Sequence, residues 1–254
     1  MAPKGKEKKA TGPPEPPSCW QPLNPAKREF VSCIDAEASH CRNGTDAVRG
    51  KQALAAGRFR LVFEVSPASS AGFGMIVGVC SQLVVEENGK VAIPPVEYTG
   101  PMMPSFVTSS QACAWGFCPS TGQLASVADV TKGLYDGARL GRQLHETPMR
   151  AVRAAAGMSI AMEVFVPAYD PADAAIARRT FATGLHPLDM RGRQPGTDDT
   201  LEAPRPSLGF RINGGELVDS GVQSLPPAVY PWVSLGCQGD KVTLVSIEKM
   251  DEPE

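Results

Sequence analysis

Seven short apolar runs, separated by segments rich in Gly and Pro, constrain the fold of this chain more than any other feature. In the run RFRLVFEVS, Leu61, Phe63 and Val65 recur at every second position, as in a strand with one buried face. The seven runs occupy residues 58–66, 74–81, 112–119, 158–167, 207–213, 229–236 and 241–248. We therefore predict a protein built mainly from β-strands.

Turn-forming residues lie between these runs. The chain contains 25 Gly and 24 Pro residues, a composition that indicates many turns and loops. Asn213-Gly214 and Asn88-Gly89 predict two-residue hairpin turns, because both residue types tolerate the positive φ angles of a type I′ turn. Helical signals are few, so the many short strands predict an all-β antiparallel sandwich.

Details of individual strands can also be predicted. Trp115 is expected in the core, and Trp232 near the rim. Pro231 is expected at the opening of its strand, where a missing N–H is tolerated. In the run KVTLVSIE we expect unbroken alternation, with Ile247 facing away from the side that carries Leu244.

The composition limits the class of partner. The chain has 254 residues, 42% of them hydrophobic, and a formal net charge of −2. This is typical of a globular protein and argues against a dedicated nucleic-acid surface, which is usually basic. Nothing approaches the roughly eighteen consecutive apolar residues of a membrane span. We therefore expect protein partners, with no nucleic acid and no membrane.

The N-terminal residues 1–24 are rich in Lys and Pro, and such a segment cannot bury enough apolar surface to fold alone. We predict a disordered tail there. The segment lacks the apolar region of a secretory signal, and the seven Cys residues are odd in number and scattered. Without secretion they are expected to stay reduced, which predicts a cytoplasmic protein.

Six segments, taken in order, resemble the SPRY (B30.2-like) domain family. RFRLVFEV, GMIVGVCS, ACAWGFCPSTGQL and GMSIAMEVFV are similar to successive family strands. The most specific are LGFRINGGEL, similar to a strand ending in Phe-x-x-Asn-Gly, and LPPAVYPWVSLGCQGDKVTLV, similar to a Tyr-Pro-x-Val-Ser-Leu close. The resemblance implies a concanavalin-like jelly-roll sandwich over residues 25–250, with its core at 55–248 and partner-binding loops on one edge.

Two long loops depart from the family pattern. Residues 82–111 follow the GVC strand, and residues 167–206 replace what is a tight turn in the family. Met158 also stands where the family usually has Asp. Because the partner-binding loops are individual, the identity of the partner does not follow from the resemblance.

The first long loop contains four candidate partner-binding residues. Large apolar side chains in the Pro-stiffened segment VEYTGPMMPSFV can form a preorganised binding patch. These residues are Tyr98, Met102, Met103 and Phe106. The alternative, which we weigh slightly more heavily, is that the segment folds back and covers the sandwich core.

The second long loop contributes four candidate arginines. Long loops inside compact domains are usually functional or disordered, and cationic side chains here can contact an acidic partner such as a cytoskeletal polymer. The candidates are Arg178, Arg179, Arg191 and Arg193. A solvated surface insertion is an equal alternative.

No catalytic or metal-binding constellation is recognisable. The three histidines, His40, His145 and His186, lie in no known nucleophile or metal motif. Cys33, His40 and Cys41 have the composition of a zinc site, but they lack its paired ligand spacing. We expect no cofactor, no metal and no catalytic residue.

These observations predict a non-catalytic protein–protein interaction module. The favoured setting is a structural or scaffolding subunit of a large intracellular assembly, such as a cytoskeletal or ciliary axonemal complex. One alternative is a substrate-recruiting adaptor of a ubiquitin-ligase system, although no RING, B-box or coiled coil is recognisable. A small-ligand binder or enzyme on the same sandwich is a further alternative, because fold does not determine function.

Overall fold

The apolar runs form strands of two antiparallel sheets. The computed structural model describes residues 18–23, 30–42, 44–66, 75–81, 84–85, 91–92, 114–127, 138–146, 157–168, 206–222, 225–226 and 228–251. These residues form seventeen strands. Their pairing confirms the prediction of an all-β antiparallel sandwich.

The first sheet has eight strands. They are β1 (Trp20–Pro22), β4 (Asp46–Gly50), β5 (Leu54–Ala55), β7 (Ile76–Ser81), β10 (Ala114–Cys118), β11 (Gln123–Val127), β12 (Ala138–Gln143) and β16 (Ala228–Leu235). Their order is β1-β4-β16-β7-β10-β11-β12, and β5 pairs with β16 beside β4.

The second sheet has seven strands. They are β2 (Val31–Ile34), β3 (Glu37–His40), β6 (Gly57–Ser66), β13 (Met158–Val166), β14 (Ser207–Ile212), β15 (Val218–Asp219) and β17 (Lys241–Met250). Their order is β15-β14-β13-β6-β17-β3-β2. Two further short strands, β8 (Val84–Val85) and β9 (Val91–Ala92), pair antiparallel around the predicted turn at Asn88-Gly89, which itself lies outside the described residues.

Side-chain alternation fills the space between the two sheets. In β6, Phe59, Leu61, Phe63 and Val65 are buried, and the residues between them are more exposed. Inward-facing side chains of the first sheet, Trp115 among them, join the same apolar cluster. The predicted core position of Trp115 is therefore confirmed.

The outer face of the first sheet is also apolar and buried. Ile76, Cys80, Ala114 and Cys118 form a second cluster there with Trp232. The prediction that Trp232 lies near the rim is wrong, since its side chain is fully buried. The reason is topological, because β16 lies between β4 and β7 in the interior of the sheet.

Two glycines allow β7 and β10 to approach each other closely. Gly78 pairs with Gly116, and a Cβ on Gly78 would lie 1.9 Å from the carbonyl oxygen of Trp115. A Cβ on Gly116 would lie 2.7 Å from the carbonyl oxygen of Val77. Because both obstructing atoms belong to the backbone, no side-chain rotation relieves the clash.

A buried hydrogen bond joins the two sheets near the end of β3. His40 Nε2 donates to Asp46 Oδ2 of β4 at 2.9 Å, and both side chains are almost completely buried. Within the described part of the chain, His40 Nδ1 has no hydrogen-bond partner. The ring therefore depends on the Asp46 carboxylate for its polar contact.

Two more side-chain hydrogen bonds connect the sheets at their opposite edges. Trp20 Nε1 of β1 donates to the carbonyl oxygen of Ala36, between β2 and β3, at 2.8 Å. His145, which follows β12, donates from Nε2 to the carbonyl oxygen of Phe210 in β14 at 3.3 Å. Both edges of the sandwich are thus tied across the gap between the sheets.

The predicted boundary of the N-terminal tail is wrong for residues 18–23. Trp20–Pro22 pairs with β4, and the Trp20 side chain is only 1% exposed. A buried indole contributes a large apolar area, which outweighs the Pro-rich composition around it. Residues 1–17 lie outside the described residues. The fold therefore begins before residue 25, and β2 to β4 extend it beyond the predicted core.

Alternation in β17 is interrupted by a β-bulge. The register shifts between Leu244 and Ser246, and the extra residue, Val245, is exposed. Because one inserted residue shifts the alternation by one position, the side chains after it point to the opposite face of the sheet from the one expected. Ile247 consequently packs against the main core, so the prediction that it faces away from the side of Leu244 is wrong.

The Asn213-Gly214 turn has the predicted geometry. The φ angles are 48° at Asn213 and 74° at Gly214, and the N–H of Gly215 donates to the carbonyl oxygen of Ile212 at 2.9 Å. Two positive φ angles within a hydrogen-bonded turn define type I′. The turn is confirmed.

Pro231 does not open its strand but lies inside β16, a central strand of the first sheet. Pairing with β5 ends at Val229 and pairing with β4 begins at Trp232, so no described strand residue pairs with Pro231 on that side. A proline, which has no N–H to donate, is tolerated where one side of the strand is unpaired. Gly50 leaves room for the ring, since a Cβ there would lie 2.9 Å from Pro231 Cγ.

We expect Gly78→Ala to destabilise the protein by about 3 kcal/mol or more, because the added methyl group meets backbone atoms in a packed sheet. Gly141→Ala is the matched control. Its Cβ would have only one neighbour, 3.7 Å away, and we expect a change within about 1 kcal/mol. Urea unfolding monitored by tryptophan fluorescence measures both. Equal midpoints for Gly78→Ala and wild type would contradict the described pairing of β7 with β10.

We expect His40 and Asp46 to be strongly coupled. Replacing either one with Ala removes one partner of a buried pair, which typically costs about 3 to 5 kcal/mol. The double variant should cost less than the sum of the two single variants by roughly 1 to 3 kcal/mol. The exposed pair Lys241–Glu37, at 3.6 Å, is the control, with a coupling below about 1 kcal/mol. Additive effects at His40 and Asp46 would rule out the described contact.

Candidate partner-binding surface

Both long connections leave the sandwich from the same end. Ala55, the last residue of β5, and Ser81, the last residue of β7, both lie beside the start of β16. Gly57, two residues after Ala55, pairs with Val166 at the end of β13. The ends of β7 and β13 therefore lie close together. We call this end, defined by Ala55, Gly57, Ser81 and Val166, the loop end.

A local backbone feature explains why the two sheets meet here. Ala56 has a φ angle of 49° and Gly57 a φ angle of 147°, so the chain turns sharply between β5 and β6. A Cβ on Gly57 would lie 2.7 Å from Cε of Lys249. The glycine thus allows both the turn and the close approach of the lysine side chain.

All eight predicted partner-binding residues belong to connections that start at the loop end. Residues 82–113 connect β7 to β10, and residues 167–206 connect β13 to β14. The candidates, Tyr98, Met102, Met103, Phe106, Arg178, Arg179, Arg191 and Arg193, lie outside the described residues. Their role in partner binding stays a prediction. The fold adds that the two connections carrying them leave the sandwich at the loop end.

Three cationic side chains at the loop end contact aromatic rings. The Arg49 guanidinium lies 4.4 Å from the ring centroid of Tyr230, and that of Arg58 lies 5.7 Å from the ring centroid of Phe165. Lys249 Nζ lies 6.0 Å from the ring centroid of Phe59. We call Arg49, Arg58 and Lys249 the ring-held cations. An aromatic face attracts a cation without neutralising it, so these groups are oriented and keep their charge.

A nearby cluster shows the opposite arrangement. Arg60 Nη2 lies 2.9 Å from Glu163 Oε1, and Arg211 Nη2 lies 3.9 Å from the same oxygen. The buried carboxylate thereby offsets part of the charge of both arginines. Among the residues that the structure describes, none of the ring-held cations forms such an ion pair.

The three cations do not share one face, since Tyr230 under Arg49 packs on the outer cluster of the first sheet, whereas Arg58 alternates with the core residue Phe59 of the second sheet. Arg49 Nη2 also donates to Gln21 Oε1 at 3.2 Å.

The cations are accompanied by acidic residues. Glu248 and Asp251 flank Lys249 and are exposed. Two carboxylates at this position weaken the attraction of Lys249 for any anionic partner. The surface around Lys249 is therefore mixed in charge, on a protein of net charge −2.

The described histidines have structural contacts. His40 is bonded to Asp46, and His145 is bonded to Phe210 and lies edge-on to the Phe117 ring at 5.7 Å between centroids. His186 lies outside the described residues. A ring nitrogen engaged in such a bond is unavailable as a ligand or base while the bond lasts.

Among the described cysteines, Cys19 has a partly buried thiol. Burial raises the pKa of the Cys19 thiol, which lowers its thiolate fraction and its reactivity.

Within the described ranges no group of three or more His, Cys, Asp or Glu side chains could hold a metal ion. The same part of the chain contains no helix that is long and apolar enough to cross a membrane.

The ring-held cations were not predicted from the sequence. Arg58 and Phe165 meet because β6 and β13 are neighbours in one particular register, and Arg49 meets Tyr230 because β4 neighbours β16. Neither register can be read from local patterns. The only signal available beforehand was a basic residue at a strand end near a predicted loop.

No protein-family model matches the chain, and no curated protein matches its sequence. Among solved structures, the SPRY domain of human HERC1 is 16% identical with a TM-score of 0.43, and the similarity covers 89% of this chain and 98% of that domain. The TRIM65 PSpry domain is 12% identical with a TM-score of 0.37, covering 85% of this chain and 83% of the other.

A carbohydrate-binding domain is similar to the same degree. The module CBM66 from Bacillus subtilis is 6% identical with a TM-score of 0.44, covering 91% of this chain and 96% of the module. Since these TM-scores lie below 0.5, the fold assignment rests on the sheet order and pairing described above. The chain is thus similar in structure to SPRY domains, the family that its sequence resembles, and also to a carbohydrate-binding module.

Proposed function

We propose that this chain is a non-catalytic protein–protein interaction module that binds an acidic surface of its partner at the loop end. The observation that supports this most directly is the set of ring-held cations, Arg49, Arg58 and Lys249, at the end where both long connections start. They are oriented by aromatic rings without loss of charge. A carboxylate-bearing partner would supply the counter-charge.

The rigidity of the sandwich supports the same proposal. Binding is weakened by the entropy lost when side chains and loops become ordered. Here the strands that carry the cations belong to sheets tied together by the Trp20, His40 and His145 hydrogen bonds. The cations are therefore held in fixed relative positions before a partner arrives, which reduces that cost.

We propose further that the protein is a structural or scaffolding subunit of a large cytoplasmic assembly, with a cytoskeletal or ciliary axonemal complex favoured. Support comes from the number of segments available for contact. A Lys-rich stretch precedes β1, and two long connections start at the loop end. Acidic surfaces are common on cytoskeletal polymers, and they suit the ring-held cations.

The adaptor alternative makes a different prediction. An assembly subunit is present in stoichiometric amounts within a large particle, whereas a ubiquitin-ligase adaptor is recovered with ligase components at sub-stoichiometric levels. Size-exclusion chromatography of a gentle lysate containing the tagged full-length protein, followed by quantitative mass spectrometry, separates the two. A free monomer would contradict the assembly proposal.

The binding site is tested by reversing charge at the loop end. We expect Arg58→Glu combined with Lys249→Glu to reduce recovery in the particle about tenfold or more, since two favourable charge contacts become repulsive. The matched control is Arg42→Glu combined with Lys241→Glu. It changes the net charge equally near the opposite end of the sandwich, where the Arg42 guanidinium lies 4.2 Å from the Phe30 ring centroid and Lys241 lies 3.6 Å from Glu37.

The expected recovery of the control is within about twofold of wild type, because distant surface charges are screened at physiological salt. Circular dichroism and urea unfolding establish that both double variants are folded. Equal losses in the two double variants would show that net charge, and not the loop end, determines incorporation. Unchanged recovery of Arg58→Glu/Lys249→Glu would overturn the proposed binding site.

A further inference from the structure

The outer face of the first sheet is apolar and buried at its centre. Along β7, Val77 and Val79 belong to the core between the sheets, whereas Ile76 and Cys80 belong to the outer cluster. The side chains of β10, β11 and β16 are divided between the two clusters in the same way. The central residues of the outer face that are 0% exposed include Cys80, Ala114, Ala125 and Trp232. In a sandwich of only two layers, this outward face would be polar and open to water.

The described members of the outer cluster form a single layer. All of them except Leu23, which follows β1, lie in strands of the first sheet. In the middle of the face Gly78 pairs with Gly116 and with Trp232, so glycines provide a flat floor beside the indole. Residues that project so little from a sheet cannot shield the indole from above. Because Trp232 is buried in the isolated chain, a further segment of the same chain provides the second layer.

Burial on this face ends before β12. Ala47 in β4 is 2% exposed and Ala125 in β11 is 0% exposed, but Leu140 of β12, which pairs with Ala125, exposes 42% of its surface. The second layer therefore extends from β4 to β11. These strands are separated by four strand spacings, which amount to about 19 Å.

Composition distinguishes one segment among those outside the described residues. The three that are longer than ten residues are 1–17, 93–113 and 169–205. Residues 93–113 contain a single charged residue, Glu97, whereas 1–17 is rich in Lys and 169–205 carries charges of both signs along its length. Packing a charged segment on an apolar face would bury unpaired charges, which is costly. Composition therefore favours residues 93–113 as the second layer.

The origin of this segment also fits. Residues 82–113 leave β7 after Ser81 and enter β10 at Ala114, and Ala114 pairs with Cys80 of the outer cluster. Both ends of the connection thus lie at strands inside the covered region. An extended chain spans roughly 3.4 Å per residue, so residues 93–113 are long enough to cross the face and return.

We propose that residues 93–113 dock on the outer face of the first sheet and form the layer that covers Trp232, with Tyr98, Met102, Met103 and Phe106 as the packing side chains. This inference goes beyond the proposed function and does not depend on an acidic partner. In this arrangement the four side chains stabilise the fold instead of binding a partner. The outer face of the first sheet is then unavailable to other proteins.

Alkylation of native thiols tests the proposal, because Cys80 and Cys118 both belong to the outer cluster and are buried. The variant is the full-length protein with residues 95–111 replaced by a Gly-Ser segment of equal length. We expect iodoacetamide to modify both thiols about tenfold faster than in wild type, because a thiol must be accessible to react. Mass spectrometry quantifies each cysteine separately, and the exposed Cys41 is the internal reference.

The matched control replaces residues 175–191 of the second long connection with a Gly-Ser segment of the same length. Cys80 and Cys118 should then react within about twofold of their wild-type rates, because their local packing is retained. Unchanged protection of both thiols in the folded 95–111 variant would overturn the proposal and would assign the second layer to residues 128–137 or 147–156. Equal loss of protection in the two variants would also overturn it, since any loosening of the fold would then suffice.

A point substitution decides the question if the 95–111 variant is not a folded monomer. Phe106→Asp places a charge at a proposed packing position, and it should lower the urea midpoint by about 1 M or more. Phe181→Asp, in the second long connection, is the matched control and should stay within about 0.3 M of wild type. A wild-type midpoint for Phe106→Asp would contradict docking of residues 93–113 on this face.

Discussion

Packing of the two sheets around one apolar core is the constraint on which the remaining structure depends. Every second residue of the long strands points into this core, as the burial of Leu61, Phe63 and Val65 in β6 illustrates. Removing this apolar area from water provides the main driving force for folding. It does not by itself determine how one sheet sits on the other. The directional hydrogen bonds of Trp20, His40 and His145 restrict that position, because each requires a particular partner across the gap.

The two ends of the sandwich differ in construction. Opposite the loop end, the turn between β16 and β17 is closed by Asp240, whose Oδ2 accepts hydrogen bonds from the N–H groups of Gly236 and Cys237. The N–H of Gly239 in the same turn donates to the carbonyl oxygen of His40, beside the buried pair with Asp46. Buried polar groups satisfied in this way rigidify the backbone. The loop end has the long connections instead, whereas cations held against aromatic rings occur at both ends, since the Arg42 guanidinium lies 4.2 Å from the Phe30 ring centroid at the opposite end.

The two sides of the sandwich also differ. On one side β1 and the turn after β2 are joined by a bridge between Ser18 and Asp35 and by the Trp20 hydrogen bond, so these edges protect each other. On the other side β12 remains exposed and carries Arg139 and Arg142.

Local sequence alone determined the existence of the main strands, the type I′ turn at Asn213-Gly214 and the all-β antiparallel class, because alternation and turn chemistry depend on neighbouring residues. It also located the long connections on which the candidate partner-binding residues lie. It did not reveal the burial of Trp232, the bulge at Val245 or the strand at Trp20–Pro22, since each depends on a residue distant in sequence. The common origin of the two connections and the pairing of Arg58 with Phe165 likewise required the tertiary structure. Which strands become neighbours, and in which register, is decided by the packing of the whole core.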